Sequence, residues 1–239
     1  DVYMKIEEGD KYYLRNVTWV GNTIYASDWL NEQLRMKKGD VFLYVKPAPG
    51  ETEWIWIKYP EKAEIEKPFV RYDSLNKEGM VNKDRIAFID QLPQFTPSKS
   101  KNGKSIIFTD DTNPKIPANE RTKVIIDIYP SYAHIKKQEK DKDGYFLTID
   151  KVKPWGVGKE LPEGLTEIKS IRVQQPGRGS VFVREAIKNI FDPTMDFNKM
   201  GVSAIDKDHI FLYMINGSGE NRYTTFWTIK EGKVVNQII

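Results

Sequence analysis

The stretch Tyr12–Phe42, YYLRNVTWVGNTIYASDWLNEQLRMKKGDVF, carries two periodicities in succession, and that succession most limits how the chain can fold. Leu14, Val17, Trp19 and Val20 lie among Arg15, Asn16 and Thr18, a mixture rich in β-branched and aromatic residues that favours a strand. Gly21-Asn22 interrupts it. Beyond the break Ala26, Leu30 and Leu34 recur at i, i+4 and i+8, while Asp28, Asn31, Glu32 and Arg35 fall elsewhere, which is the stripe of an amphipathic helix. Ser27 offers an N-cap hydroxyl. Lys37, Lys38 and Gly39 close the helix, with cations at the negative end of its dipole and a glycine free to turn left-handed.

Taken in order, "YLRNVTWVGNT", "LNEQL" and "MKKGDVF" resemble the opening half of a polypeptide-transport-associated (POTRA) domain, as found in the periplasmic arm of the outer-membrane β-barrel assembly factor. VYMKIEEG, from Val2 to Gly9, is similar to the last strand of a preceding repeat. The resemblance covers residues 2–42. It implies a non-enzymatic scaffold of the periplasm or cell envelope that binds other envelope proteins or unfolded polypeptide, often by adding a strand to a sheet edge. The edge it points to is Leu14, Asn16, Thr18 and Val20. After Gly39-Asp40 the family has a second helix and two strands, whereas this chain reads FLYVKPAPGETEWIWIKYP, with three prolines and no helical period. A fragment, a fusion and a POTRA-like hairpin joined to another fold all remain open. The start at Asp1-Val2-Tyr3 carries no signal peptide, so either a signal has been removed or the chain begins within a longer protein, and Val2–Gly9 favours the second.

Charge is nearly balanced, 37 Lys and Arg against 34 Asp and Glu, with the signs interspersed. Nucleic acid and anionic membrane surfaces call for a clustered basic stripe, so neither is an expected partner. The absence of cysteine removes disulfides, thiolate metal sites and cysteine nucleophiles. No apolar run approaches the ~20 residues that span a bilayer, so no transmembrane segment is expected. His134 and His209 stand alone, without a His-Glu-x-x-His motif, and no Gly-x-Ser-x-Gly elbow occurs. The expectation is a non-enzyme without metal or cofactor.

The remainder reads as strands and turns. In EWIWIKY, Trp54 and Trp56 share one face and Ile55 and Ile57 the other, which suggests a strand covered on both sides or an interface strand. The two tryptophans are candidates to stack a sugar or peptide. Asn102-Gly103 marks a hairpin and KVIIDIYP, Lys123 to Pro130, a strand. Glu139, Asp141, Asp143, Gly144 and Asp150 fall at EF-hand positions, but Glu at the first and Asp at the twelfth fit poorly, so a hairpin turned by Asp143-Gly144 is expected in place of a calcium loop. Val183, Ala186, Ile187, Ile190 and Phe191 follow the helical period, with Ser180 as cap and Asp192-Pro193 as stop, and predict a helix packed on the sheet of residues 202–239. Gly177-Arg178-Gly179-Ser180 reads as a tight strand-to-helix turn. The last four strands form a meander whose closing part, YTTFWTIKEGKVV, resembles the closing hairpin of nuclear-transport-factor-like cone folds. That likeness implies an alternative function, an envelope or secreted binding protein with a ligand site lined by Tyr213, Tyr223, Phe226 and Trp227. The expected class is therefore α+β: a POTRA-like unit over 1–42, a β-rich middle over 43–135 and an α+β domain over 136–239.

Overall fold

A computed structural model describes residues 11–14, 40–47, 53–61, 68–83 and 86–239, the first of these segments by its backbone. Strand alternation governs nearly all of it. In chain order the strands are β1 (Lys11–Leu14), β2 (Val41–Pro47), β3 (Trp54–Tyr59), β4 (Val70–Tyr72), β5 (Lys77–Asn82), β6 (Ile86–Phe88), β7 (Thr96–Lys99), β8 (Ser105–Thr109) and β9 (Lys123–Pro130). They continue as β10 (Gln138–Lys140), β11 (Phe146–Ile149), β12 (Thr166–Gln175), β13 (Arg178–Val181), β14 (Met200–Asp206), β15 (His209–Asn216), β16 (Tyr223–Lys230) and β17 (Lys233–Ile238). No helix of seven or more residues occurs among the described residues, and the expected α+β class is corrected to a strand-rich, all-β architecture.

The chain divides into two compact units, residues 1–67 with 72–93, and residues 68–71 with 94–239. The expected boundaries at 42/43 and 135/136 therefore fall inside the first and second unit. In the first unit an antiparallel sheet runs β5-β3-β2-β1-β6. Phe42, Ile55, Ile57 and Val81 are its buried core, with Tyr44, Tyr59, Ile86 and Phe88 packed against them. The expected Gly-Asn turn and helix over residues 21–39 lie outside the described residues.

The second unit is a sandwich. One sheet runs β13-β12-β9-β8-β7 and the other β14-β15-β16-β17-β4. In KVIIDIYP, Val124, Ile126 and Ile128 point into the core, and Lys123, Asp127 and Tyr129 alternate with them. The same core takes Ile106 and Phe108 from β8, Ile171 and Val173 from β12, and Val202, Leu212, Trp227 and Ile229 from the facing sheet. Two sheets that bury their apolar faces against each other leave the opposite faces to be accounted for separately. A chain reversal between β9 and β12, residues 131–165, carries the β10–β11 hairpin and packs Ala133, Ile149 and Leu165 with Phe191 as a smaller core of its own.

Hairpin turns form where the residues called for them. Gly103 takes φ +68° and Asn102 Oδ1 accepts the Lys104 N–H at 3.1 Å. At Asp143-Gly144 the hairpin expected from the sequence is present: Asp141 Oδ1 accepts the N–H groups of Asp143 and Tyr145, both at 2.9 Å, and Gly144 takes φ +88°. That carboxylate is occupied in holding the turn. Glu231 and Gly232, at φ +51° and +77°, make the tight turn between β16 and β17. The resembled closing hairpin is thus present, on a sandwich and not on an α+β cone.

The expected helix over Val183–Phe191 does not form. Only Arg184–Ala186 makes a single 3-10 turn, and Asn189 takes φ +59°, outside the helical region. Carbonyls that a helix would use internally serve other segments: Ala186 O accepts the Trp227 indole N–H, while Arg71 donates to the carbonyls of Glu185 and Lys188. Ile190 bridges Trp155, and Phe191 bridges Glu167. The apolar spacing is satisfied differently. Ile187 and Ile190 enter the main core, Phe191 enters the smaller one, and Val183 points out to solvent. Ser180 is no cap either, since it lies in β13 and donates to the Gly232 carbonyl. Pro176-Gly177, with Gly177 at φ +72°, turns a hairpin between β12 and β13, where a strand-to-helix turn was expected.

Candidate binding surface

The residues singled out in the sequence do not converge on one site. Leu14 ends β1, which pairs with β2 on one side and β6 on the other, so this part of the expected docking edge is interior to its sheet. Asn16, Thr18 and Val20 lie outside the described residues. Trp54 and Trp56 are half-buried on the face of β3 opposite the buried Ile55 and Ile57, and Trp56 pairs across the sheet with Met80, which is exposed.

The aromatics of the meander are structural. Tyr223 and Trp227 lie on the inner face of their sheet, where the Tyr223 hydroxyl donates to Phe191 O at 2.5 Å and the Trp227 indole N–H to Ala186 O at 2.8 Å. Burial, with the negative charge of Asp192 adding to it, pushes the Tyr223 phenol well above its ordinary pKa. Tyr213 and Phe226 are cross-strand partners on the other face, and the Tyr213 ring lies across Gly201, where an added Cβ would come within 2.7 Å of it. Two faces of one sheet cannot line one cavity. The aromatic-lined ligand site is not formed by these four residues.

The outer face of the sheet β13-β12-β9-β8-β7 is different in kind. Its registers set Ser98, Ile107, Ile125, Arg172 and Val181 in one row across the strands, and Ser105, Asp127 and Ser170 in the next. Asp127 Oδ1 accepts from Ser105 Oγ at 2.6 Å, and Oδ2 accepts from Ser170 Oγ at 2.6 Å and from the Arg172 guanidinium at 3.0 Å. Burial alone would raise this carboxyl, but the two hydroxyls and the guanidinium outweigh it and hold Asp127 below its ordinary pKa. Tyr129 and Glu167 form the following pair. The Tyr129 hydroxyl donates to Glu167 Oε1 at 2.8 Å, Lys136 Nζ lies 3.3 Å from Glu167 Oε2, and Glu167 is buried. Burial first, then the hydrogen bond to Glu167 and its charge, push the Tyr129 phenol up to about 12. Each carboxylate on this face is thus already engaged by hydroxyls and a cation.

The surface of this unit also carries large apolar groups. Apart from Met80 in the first unit, the large apolar side chains that remain exposed among the described residues are Tyr132, Ile135, Tyr145, Leu147, Val181 and Val183. Ile135 is 74% exposed and Tyr132 56%, on the turn that follows β9, and Val181 is 62% exposed on β13. The helical period of the sequence takes in Val183 and gives no sign of Val181. The Pro176-Gly177 turn followed by the alternation of SVFV is the sequence signal for an edge strand that runs through Val181.

Fold and surface together define an antiparallel β-sandwich with exposed apolar side chains on β13, on the segment that follows it and on the excursion between β9 and β12. Comparison with protein families, with curated proteins and with solved structures gives no significant match.

Proposed function

We propose that the chain is a non-enzymatic protein-binding module of the cell envelope, with other envelope proteins or unfolded polypeptide as partners. The observation that carries this reading is the contrast on the second unit. On the outer face of one sheet Asp127 and the buried Glu167 are held by neighbouring hydroxyls and cations, while Tyr132, Ile135, Tyr145, Leu147, Val181 and Val183 remain exposed. Exposed aromatic and aliphatic side chains set among engaged polar groups are the composition of a protein-contact surface. The envelope location rests on the resemblance of residues 2–42, and fractionation of native cells checks it.

The test uses a permanently unfolded probe, a reduced and carboxymethylated globular protein, titrated against the purified chain by fluorescence anisotropy. Saturable binding is expected, weakened roughly tenfold by the double variant Tyr132→Ser/Ile135→Ser, equivalent to ~1.4 kcal/mol. Absence of binding by the wild-type chain overturns the reading.

A further inference from the structure

We infer that β13 is a docking edge at which an extended segment of another polypeptide adds as a further strand to the sheet β13-β12-β9-β8-β7; this rests on the reading of the chain as a protein-binding module. The backbone geometry comes first. The Phe182 N–H donates to Ile171 O at 2.8 Å, and the register continues as Arg172 opposite Val181, Val173 opposite Ser180 and Gln174 opposite Gly179. In an antiparallel pair, hydrogen-bonded and non-bonded positions alternate. Phe182 and Ser180 therefore bond to β12, and the N–H and C=O groups of Gly179 and Val181 point off the sheet. The Val183 carbonyl accepts from Ala186, which leaves its N–H also directed outward. Gly179, Val181 and Val183 are all exposed, the two valines at 62% and 43%.

The edges of this sheet are treated unequally. At the opposite edge β7, TPSK, contains Pro97, which has no N–H to offer, and Lys99, and the residues leading into it are tied to the other sheet by the Gln94–Ser203 bridge. Those are the ordinary devices that prevent a strand from pairing with a stranger. From Gly179 to Val183 the sequence is GSVFV, without proline or charge. An edge of outward main-chain groups flanked by apolar side chains is a template for strand addition.

The occupant is a different polypeptide and not a second copy. Antiparallel self-pairing centred on Val181 would set Arg178 of one copy opposite Arg184 of the other, and like charges directly opposite each other destabilise a pair. Arg184, exposed on the 3-10 turn three residues beyond β13, makes no side-chain hydrogen bond among the described residues, whereas Arg178 is held by Asp208. The fitting partner is an extended segment with apolar residues at alternate positions, to lie beside Val181 and Val183, and an acidic residue at the end that reaches Arg184.

The probe is a synthetic peptide of alternating valine and threonine with an aspartate at each end, added to the full chain. Amide hydrogen exchange and fluorescence anisotropy are the readouts. Saturable binding with slowed exchange at Gly179, Val181 and Val183 is expected. Val181→Lys and Val183→Lys should each weaken it at least tenfold while keeping the wild-type thermal transition. Val181→Pro, which deletes an outward N–H, should do the same. If the unfolded protein binds but the peptide does not, or if the peptide protects other amides or ignores all three substitutions, the edge assignment is wrong and the broader reading stands. If neither probe binds, both fall. Protection of residues 179–183 that rises with protein concentration and without peptide identifies a second copy as the occupant and overturns the choice of partner.

Discussion

The indole N–H of Trp227 donates to the carbonyl of Ala186 at 2.8 Å, joining the centre of the C-terminal meander to a turn 41 residues earlier in the chain. Trp227 is fully buried and its ring meets Phe182 edge-on at 6.3 Å. One side chain thus packs in the sandwich core and binds a carbonyl of the segment from Val183 to Phe191. Trp227→Phe should cost ~1–3 kcal/mol, since the Ala186 carbonyl is left buried without its donor. Trp227→Ala should cost ~3–5 kcal/mol through the cavity it opens. Urea unfolding measures both, and equal losses for the two variants would show that filling the cavity contributes nothing beyond the hydrogen bond.

Acid sensitivity should trace to Asp127. Its folded carboxyl stays ionised at a pH where the unfolded chain is already protonated, so its contribution is complete above the ordinary carboxylate value and disappears as pH falls through the lowered one. Asp127→Asn should therefore be less stable than wild type at neutral pH, and the gap should close below about pH 4. Stability curves for the two proteins that run parallel from pH 7 to pH 2 would contradict this.

Tyr129 gives the opposite limb. Its folded pKa of about 12 lies above the ordinary 10, so the neutral phenol stabilises the fold fully below pH 10 and progressively less as pH rises towards 12. Tyr129→Phe should lose about 1 kcal/mol at neutral pH from the hydrogen bond to Glu167 and show a shallower decline between pH 10 and 12. Thermal unfolding across that range is the measurement.

Glycine positions separate strain from space. Gly156, at φ +87°, would carry a Cβ 2.4 Å from the Phe191 carbonyl oxygen and 2.8 Å from the Tyr223 ring, whereas Gly103, at φ +68°, has nothing within 4 Å. Gly103→Ala should cost only the conformational penalty, about 1 kcal/mol. Gly156→Ala should cost clearly more, because the loop around Trp155 must move off Phe191 and Tyr223. Equal midpoints for the two variants in denaturant would show that the Gly156 contact relaxes freely.

Much of the strand content was legible because its signals are local. In KVIIDIYP and in the closing meander, each residue's preference and its neighbours' alternation agree, and turns such as Asn102-Gly103 and Glu231-Gly232 have few backbone solutions. Val183–Phe191 misled for the converse reason. Its spacing of apolar residues suits a helix, but the same residues also suit a loop that divides its side chains between two cores, and the sequence does not show where Trp227 or Arg71 will claim a carbonyl. The aromatics Tyr213, Tyr223, Phe226 and Trp227 were likewise recognisable as a cluster in sequence. Strand pleating then divided them between two faces.

By itself the sequence determined the local grammar: which runs extend, where the hairpins turn, and that Asp143-Gly144 makes a turn of its own. The tertiary structure alone decided which face of each strand is covered, that Asp127 meets Ser105, Ser170 and Arg172, and that β13 is an edge among the described strands, with outward main-chain groups. The physical reason is range. Strand and turn preferences are settled among neighbouring residues, whereas burial, cross-strand partnership and the difference between an edge and an interior strand depend on contacts between segments far apart in the chain.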